Sequence, residues 1–116
     1  MDPLKSKIFV QNFPDVTVIT FMHEKILAEE YIKELGESIM SAFEQARRQD
    51  LVLDFSNVKF LSSSVLGLLI KIHKKICERK GHLKLCNINK DIYKVFEITQ
   101  LNKVFDISIE NENQAY

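Results

Sequence analysis

The stretch LVLDFSNVKFLSSSVLGLLIKIHKKICERKG, residues 51–81, decides how the chain is built. Leu51-Val52-Leu53 is a continuous apolar run closed by Asp54, the pattern of a central strand buried on both faces. From near Ser64 onward, Val65, Leu69, Ile72 and Ile76 form one stripe widened by Leu68. Lys71, Lys74, Lys75, Glu78 and Arg79 fall mostly to the outside, so the segment is predicted to be an amphipathic helix. Gly81 follows where a left-handed cap residue usually stops a helix. The cations gathered toward that end complement the helix dipole, which explains them without nucleic acid. Between strand and helix stand Ser62, Ser63 and Ser64, and hydroxyls at such a junction can be a cap, a nucleophile or a phosphorylation switch.

Working outward, residues 8–21 carry two β-rich runs, Ile8-Phe9-Val10 and Val16 to Phe21. Asn12, Pro14 and Asp15 between them have turn chemistry, which predicts a hairpin. From about Ala28 to Arg48, apolar residues recur at Ile32, Leu35, Ile39, Phe43 and Ala46, the spacing of one helical stripe. Gly36 inside that helix costs about 1 kcal/mol relative to Ala, so it marks either a close packing contact or a tolerated surface position. Leu83 to Cys86 reads as a short strand, Asn89 as the cap of a helix carrying Ile92, Val95 and Phe96, and Val104 to Ile109 as a terminal strand or edge segment. Hairpin, helix, strand, helix, strand, helix, strand is an α/β order. It implies a small mixed sheet with parallel pairs joined by right-handed crossovers and covered by helices. The expected organisation is one domain over residues 1–109 and a polar tail over 110–116.

Bulk properties narrow the partners. Sixteen Lys and Arg balance sixteen Asp and Glu, so no global field draws nucleic acid or an anionic membrane, and any partner must be recognised locally. Apolar runs are broken by charge within a few residues, as at Lys71, so no membrane span is expected. Cys77 and Cys86, without a secretory leader, suggest free thiols and a cytoplasmic protein.

Catalytic constellations are thin. The serines lack the first glycine of a Gly-x-Ser-x-Gly elbow. His23, His73 and His82 have no ligand spacing and no Cys-x-x-Cys accompanies them, so no metal site is expected. Gly36, Gly67 and Gly81 are the only glycines and form no phosphate-cradling loop, so no cofactor is expected either. Asp54 stands where a response-regulator receiver accepts a phosphoryl group. Such a domain also needs an acidic pair by its first strand, where this chain offers Gln11, Asn12 and a lone Asp15. Asp54 is better read as a strand-end residue bonding loop amides. One serine is explained by a cap worth about 1 kcal/mol. A phosphate on the cluster would carry about −1.5 to −2 charges and meet the positive end of the helix, leaving the fold intact while changing its surface.

The residues from Leu51 to Ile107, LVLDFSNVKFLSSSVLGLLIKIHKKICERKGHLKLCNINKDIYKVFEITQLNKVFDI, resemble the STAS domain of anti-sigma factor antagonists, and the hairpin and first helix fit the same order. Asp54, Phe60, Leu61, Ser63, Ser64, Leu66 and Gly67 fall on the family motif, an apolar strand ending in Asp, an aromatic-apolar pair, Asp-Ser-Ser-Gly-Leu-Gly and a helix. Leu85-Cys86-Asn87, Val95-Phe96, Leu101 and Phe105-Asp106 are similar to the closing elements. Ser62 replaces the family's Asp and Val65 its Gly. The resemblance implies a STAS-like mixed sheet and a non-enzymatic, partner-switching role. The unmodified domain would bind an anti-sigma factor that is also a serine kinase, phosphorylation would release it, and a PP2C-type phosphatase would reset it. It places the regulated serine on Ser63, with Ser62 as the alternative acceptor, and partner binding on Ser62, Ser63, Ser64, Val65, Leu66 and Gly67. The two departures leave open a non-switching STAS scaffold within a signalling assembly.

Overall fold

In the computed structural model, which describes residues 7–46 and 50–110, the expected hairpin is formed by β1 (Ile8–Asn12) and β2 (Thr17–Phe21). They pair antiparallel from Ile8 opposite Phe21 to Asn12 opposite Thr17. Helix α1 (Glu29–Ala46) leads to β4 (Asp50–Asp54), α2 (Ser63–Glu78) to β6 (His82–Ile88), and α3 (Lys90–Ile98) with a short 3-10 turn to β7 (Asp106–Ile109). The five strands lie in the order β1-β2-β4-β6-β7, parallel from β2 onward. The α/β architecture predicted from the alternation is therefore present. The tail residues 111–116 and the helix end at Arg48 lie outside the described residues.

A two-stranded parallel ribbon was not foreseen. β3 (Lys25–Ile26) pairs with β5 (Phe60–Leu61), joining the chain after β2 to the chain before α2. Two residues per strand are too few to show a period-2 pattern in a sequence.

The apolar faces of all three helices join one buried cluster. Ile32, Leu35, Ile39 and Phe43 come from α1, Val65, Leu66, Leu69, Ile72 and Ile76 from α2, and Ile92 and Phe96 from α3; Val95 of α3 is exposed. Their sheet partners are Ile19, Phe21, Leu51, Leu53, Leu83 and Leu85. The alternate residues Val18, Thr20, Val52, Asp54, Lys84 and Cys86 remain half-buried. Val52 therefore departs from the expectation of a strand buried on both faces. β4 is central, but the helices supply their apolar residues to one face of the sheet.

Helix α1 meets α2 at Gly36. A Cβ there would lie 2.5 Å from Cδ1 of Leu68, so the glycine marks close packing between the helices. Each fully buried Leu, Ile or Phe contributes about 1.5–3 kcal/mol, which outweighs the weak helix propensity of one glycine.

The left-handed cap of α2 falls one residue earlier than expected. Lys80, not Gly81, has φ of 60°. Its N–H donates to the Cys77 carbonyl and that of Gly81 to the Ile76 carbonyl, both at 2.9 Å, which is the Schellman pattern. The helix runs to Glu78 with Arg79 as its cap, so the left-handed position lands on a residue with a Cβ.

Two stability measurements follow. In a Leu68→Ala background, Gly36→Ala should raise the unfolding free energy by about 1 kcal/mol, because the helix gain is then unopposed. In the native background the gain should be smaller, since the new methyl must push Leu68 off its rotamer; equal gains in urea melts would refute the contact. Lys80→Gly should stabilise by about 0.5–1 kcal/mol and raise Tm by a few degrees, and a lower Tm would contradict the cap assignment.

Candidate functional site

The serine cluster is held by backbone bonds from both sides. The Phe55 N–H donates to the Cys86 carbonyl at 2.9 Å, carrying the β4–β6 pairing past the strand end. The side-chain amide of Asn57 donates to the Phe21 carbonyl at 2.9 Å, and that of Asn89 to the Val58 carbonyl at 3.2 Å. The N–H groups of Lys59 and Phe60 share the Glu24 carbonyl at 2.8 and 3.0 Å, and the Ser62 N–H donates to the Ile26 carbonyl at 3.0 Å. The loop thus enters α2 in a fixed direction, with its polar backbone groups satisfied.

Each serine has a different surrounding. Ser62 is the N-cap residue, with φ −89° and ψ 165°, but its side chain makes no capping bond. Its Oγ is buried and has no hydrogen-bond partner. The hydroxyl cap expected of the serine cluster is therefore absent at the N-cap position, and α2 is started by the Val65 N–H donating to the Ser62 carbonyl at 3.0 Å. Ser63 and Ser64 occupy the first turn of α2 and are exposed. No acidic residue lies in that turn, so the free N–H groups of the helix start meet no carboxylate from it.

Of the six residues predicted to face a partner, Val65 and Leu66 are buried in the core, at 1% and 7% exposure. Gly67 is exposed, and a Cβ there would meet nothing within 4 Å. Ser63, Ser64 and Gly67 make up the accessible part of the motif. Val65, where the family has glycine, is absorbed into the core rather than added to the surface. Sequence reading missed the apolar residues on the ribbon beside the serines. Leu27 directly follows β3 and is 49% exposed, and Phe60 of β5 is 54% exposed with the Lys25 ammonium 5.9 Å from its ring centroid. Phe60 falls on the motif, but nothing in its spacing announces that it faces solvent.

Other reactive groups are engaged elsewhere. The Asp54 Oδ1 accepts from the Ser56 N–H at 2.9 Å and from the Asn87 amide at 3.0 Å, the strand-end role its position suggested. His23 Nδ1 lies 2.8 Å from the Tyr31 hydroxyl, His82 Nε2 2.8 Å from Asp106 Oδ2, and the His73 ring packs edge-on against Phe105. Burial raises the pKa of Tyr31. Cys77 and Cys86 are free thiols. Burial, helped by the Asp54 charge and opposed by Lys84, pushes the Cys86 thiol up to about 11, which keeps it protonated and a poor nucleophile at neutral pH. Among the described residues, no group of three or more His, Cys, Asp or Glu could hold a metal ion, and no helix is long and apolar enough to cross a membrane.

Comparisons with known proteins agree with this architecture. The STAS domain family model matches residues 8–115. The anti-sigma-B factor antagonist of Bacillus subtilis (strain 168) is 31% identical over 78 residues, 67% of this chain and 70% of that protein. The anti-sigma F factor antagonist of Paenibacillus polymyxa is 27% identical over 74 residues; the match takes in 64% of this chain and spans 62% of that relative's length. The structure of an anti-sigma-factor antagonist (STAS) domain protein from Planctomyces limnophilus superposes with a TM-score of 0.77 at 25% identity, covering 90% of this chain and 92% of the other. With a family model spanning nearly the whole fold and the strand-serine-helix junction in place, the chain belongs to the STAS domain family.

Proposed function

We propose that this domain is an anti-sigma factor antagonist that works by partner switching, with Ser63 as the phosphorylated residue. The observation that carries this reading is the contrast at the junction. Ser63 is exposed in the first turn of α2, whereas the Oγ of its neighbour Ser62 is buried. A kinase can reach the first hydroxyl without opening the fold and cannot so reach the second. Two relatives that are named as antagonists of anti-sigma factors support an anti-sigma factor as the partner class, and in the proposed switch that partner is also the serine kinase. A PP2C-type phosphatase would restore the free hydroxyl, and the domain itself would act as a cytoplasmic binding module, not a catalyst.

The switch needs no rearrangement. A phosphoserine at position 63 would sit at the positive end of α2, in a turn without acids, so the domain tolerates it. The same group inside a contact formed with Ser63, Ser64, Gly67, Leu27 and Phe60 would place about two negative charges in a partly desolvated interface and cost several kcal/mol. The exposed apolar side chains Leu27 and Phe60 supply the attraction that the charge must overcome.

The test uses the cognate kinase. With ATP, mass spectrometry of the peptide spanning Ser62 to Ser64 should find one phosphate, on Ser63, both in the native domain and in Ser62→Ala. Ser63→Ala should bind the kinase and resist release by ATP. Ser63→Asp should bind about a hundredfold more weakly, equivalent to about 2.8 kcal/mol, with an unchanged circular dichroism spectrum. A phosphate on Ser62 or Ser64 would overturn the assignment, and stable binding with no phosphate would favour a non-switching scaffold, the reading suggested by Ser62 in place of Asp.

A further inference from the structure

A second surface lies along the helix layer, away from the serine loop. Between α1 and α2 runs a furrow of about 290 Å³, lined by Gly36, Met40, Leu68 and Ile72 on its floor and by Lys33, Glu37, Lys71 and Lys75 on its rim. The missing side chain of Gly36 keeps the two helices close. Met40 and Leu68 are only half-buried, so the floor is apolar surface left facing water.

The rim carries three cations and one acid, and among the described residues none of Lys33, Lys71 and Lys75 belongs to an ion pair. Helix dipoles account for one of them. Lys75 is in the last turn of α2, where a cation is favoured. Lys71 lies mid-helix, beyond the reach of that effect, and Lys33 lies close to the start of α1, the end that favours acids. The α2 wall therefore carries two cations, Lys71 and Lys75, whereas on the α1 wall Lys33 is matched by Glu37 one turn further on.

We infer that this furrow docks an amphipathic helix of a partner protein whose apolar stripe is flanked by Asp or Glu on the side that faces α2. An apolar groove between two helices takes anchors spaced three and four residues apart, and the cations of the α2 wall select acids on the flank of the entering stripe that meets it. Small-molecule sites usually enclose about 300–1,000 Å³ and bury most of their ligand. This furrow is at the lower limit and open, which suits a few side chains of a larger partner better than a free acyl chain. Lys71 follows Ser63 by eight residues, about 12 Å along the helix, so docking here is independent of the serine switch.

A synthetic peptide of about sixteen residues, with leucines at helical spacing and flanking glutamates, should be titrated into the isotopically labelled full chain by NMR. Saturable shifts should centre on Gly36, Met40, Leu68, Lys71, Ile72 and Lys75. They should weaken at least about tenfold in Lys71→Glu/Lys75→Glu and again at about 0.5 M salt, and remain in Ser63→Asp. Should the double variant disturb the rest of the spectrum, Lys71→Gln serves in its place. The inference fails if the shifts are absent, if they move to the serine loop, or if a peptide with lysine for glutamate produces them equally. It also fails if dodecanoate or phosphatidylglycerol vesicles move these resonances while the acidic peptide does not, or if the chain alone moves them on concentration, which would make the occupant a second copy.

Discussion

The constraint on which the molecule rests is the direction of its parallel crossovers. From β2 through β4 and β6 to β7, each connection steps to the next position in the sheet and never turns back. Right-handed crossovers that all step the same way lay their helices on the same side. This is why α1, α2 and α3 feed one cluster, and why Val18, Val52 and Lys84 line a face that stays half open. At the carboxyl ends of the central strands stands a set of loops that the chain must fix by other means.

The short ribbon of β3 and β5 is that means. Asp54 turns the chain out of β4, Asn57 ties the loop to the Phe21 carbonyl, Asn89 holds it by the Val58 carbonyl, and the Glu24 and Ile26 carbonyls receive the N–H groups of Lys59, Phe60 and Ser62. Rigid support makes the exposure of Ser63 a property of the fold, not of a wandering loop. Leaving the Ser62 Oγ buried without a partner is a local cost, about 1–3 kcal/mol for a polar group without compensation. It is incurred at the N-cap position, where a serine hydroxyl ordinarily accepts from an amide of the first turn and here makes no such bond.

Long, periodic segments were legible in the sequence because burial writes a period. The stripes of α1 and α2, the hairpin, and the Asn89 cap, whose Oδ1 accepts from the Ile92 N–H at 2.8 Å, were all predictable from spacing and side-chain chemistry. The misses have separate physical reasons. Val52 reads as doubly buried because an apolar run does not say how many layers a sheet will have. Gly81 drew the left-handed cap because glycine adopts it freely, but the position is fixed by where the helix ends, and that fell on Lys80. At the candidate site, the serines could be found by their clustering and the motif around them, whereas their division into one buried and two exposed hydroxyls depends on the pitch of α2 after the Ile26 bond. Leu27 and Phe60 lie far apart in the chain, and only the parallel pairing of β3 with β5 makes them neighbours of the same loop.

The two surfaces of α2 differ in how charge acts on them. At its start, the helix offers unsatisfied N–H groups and no acid, so a phosphate is accommodated by the free domain and penalised only when a partner covers it. That asymmetry is what a release switch requires: the modification must cost more in the complex than in the free protein, or it shifts nothing. Along the furrow the field comes from Lys71 and Lys75, so attraction there would persist in both states. A partner holding both surfaces would be loosened, not expelled, by phosphorylation, because the loss at one contact leaves the other in place and the local concentration high. A partner holding only the serine loop would be released outright. The reach of the proposed switch would therefore be set by whether the partner's helix also meets Lys71 and Lys75.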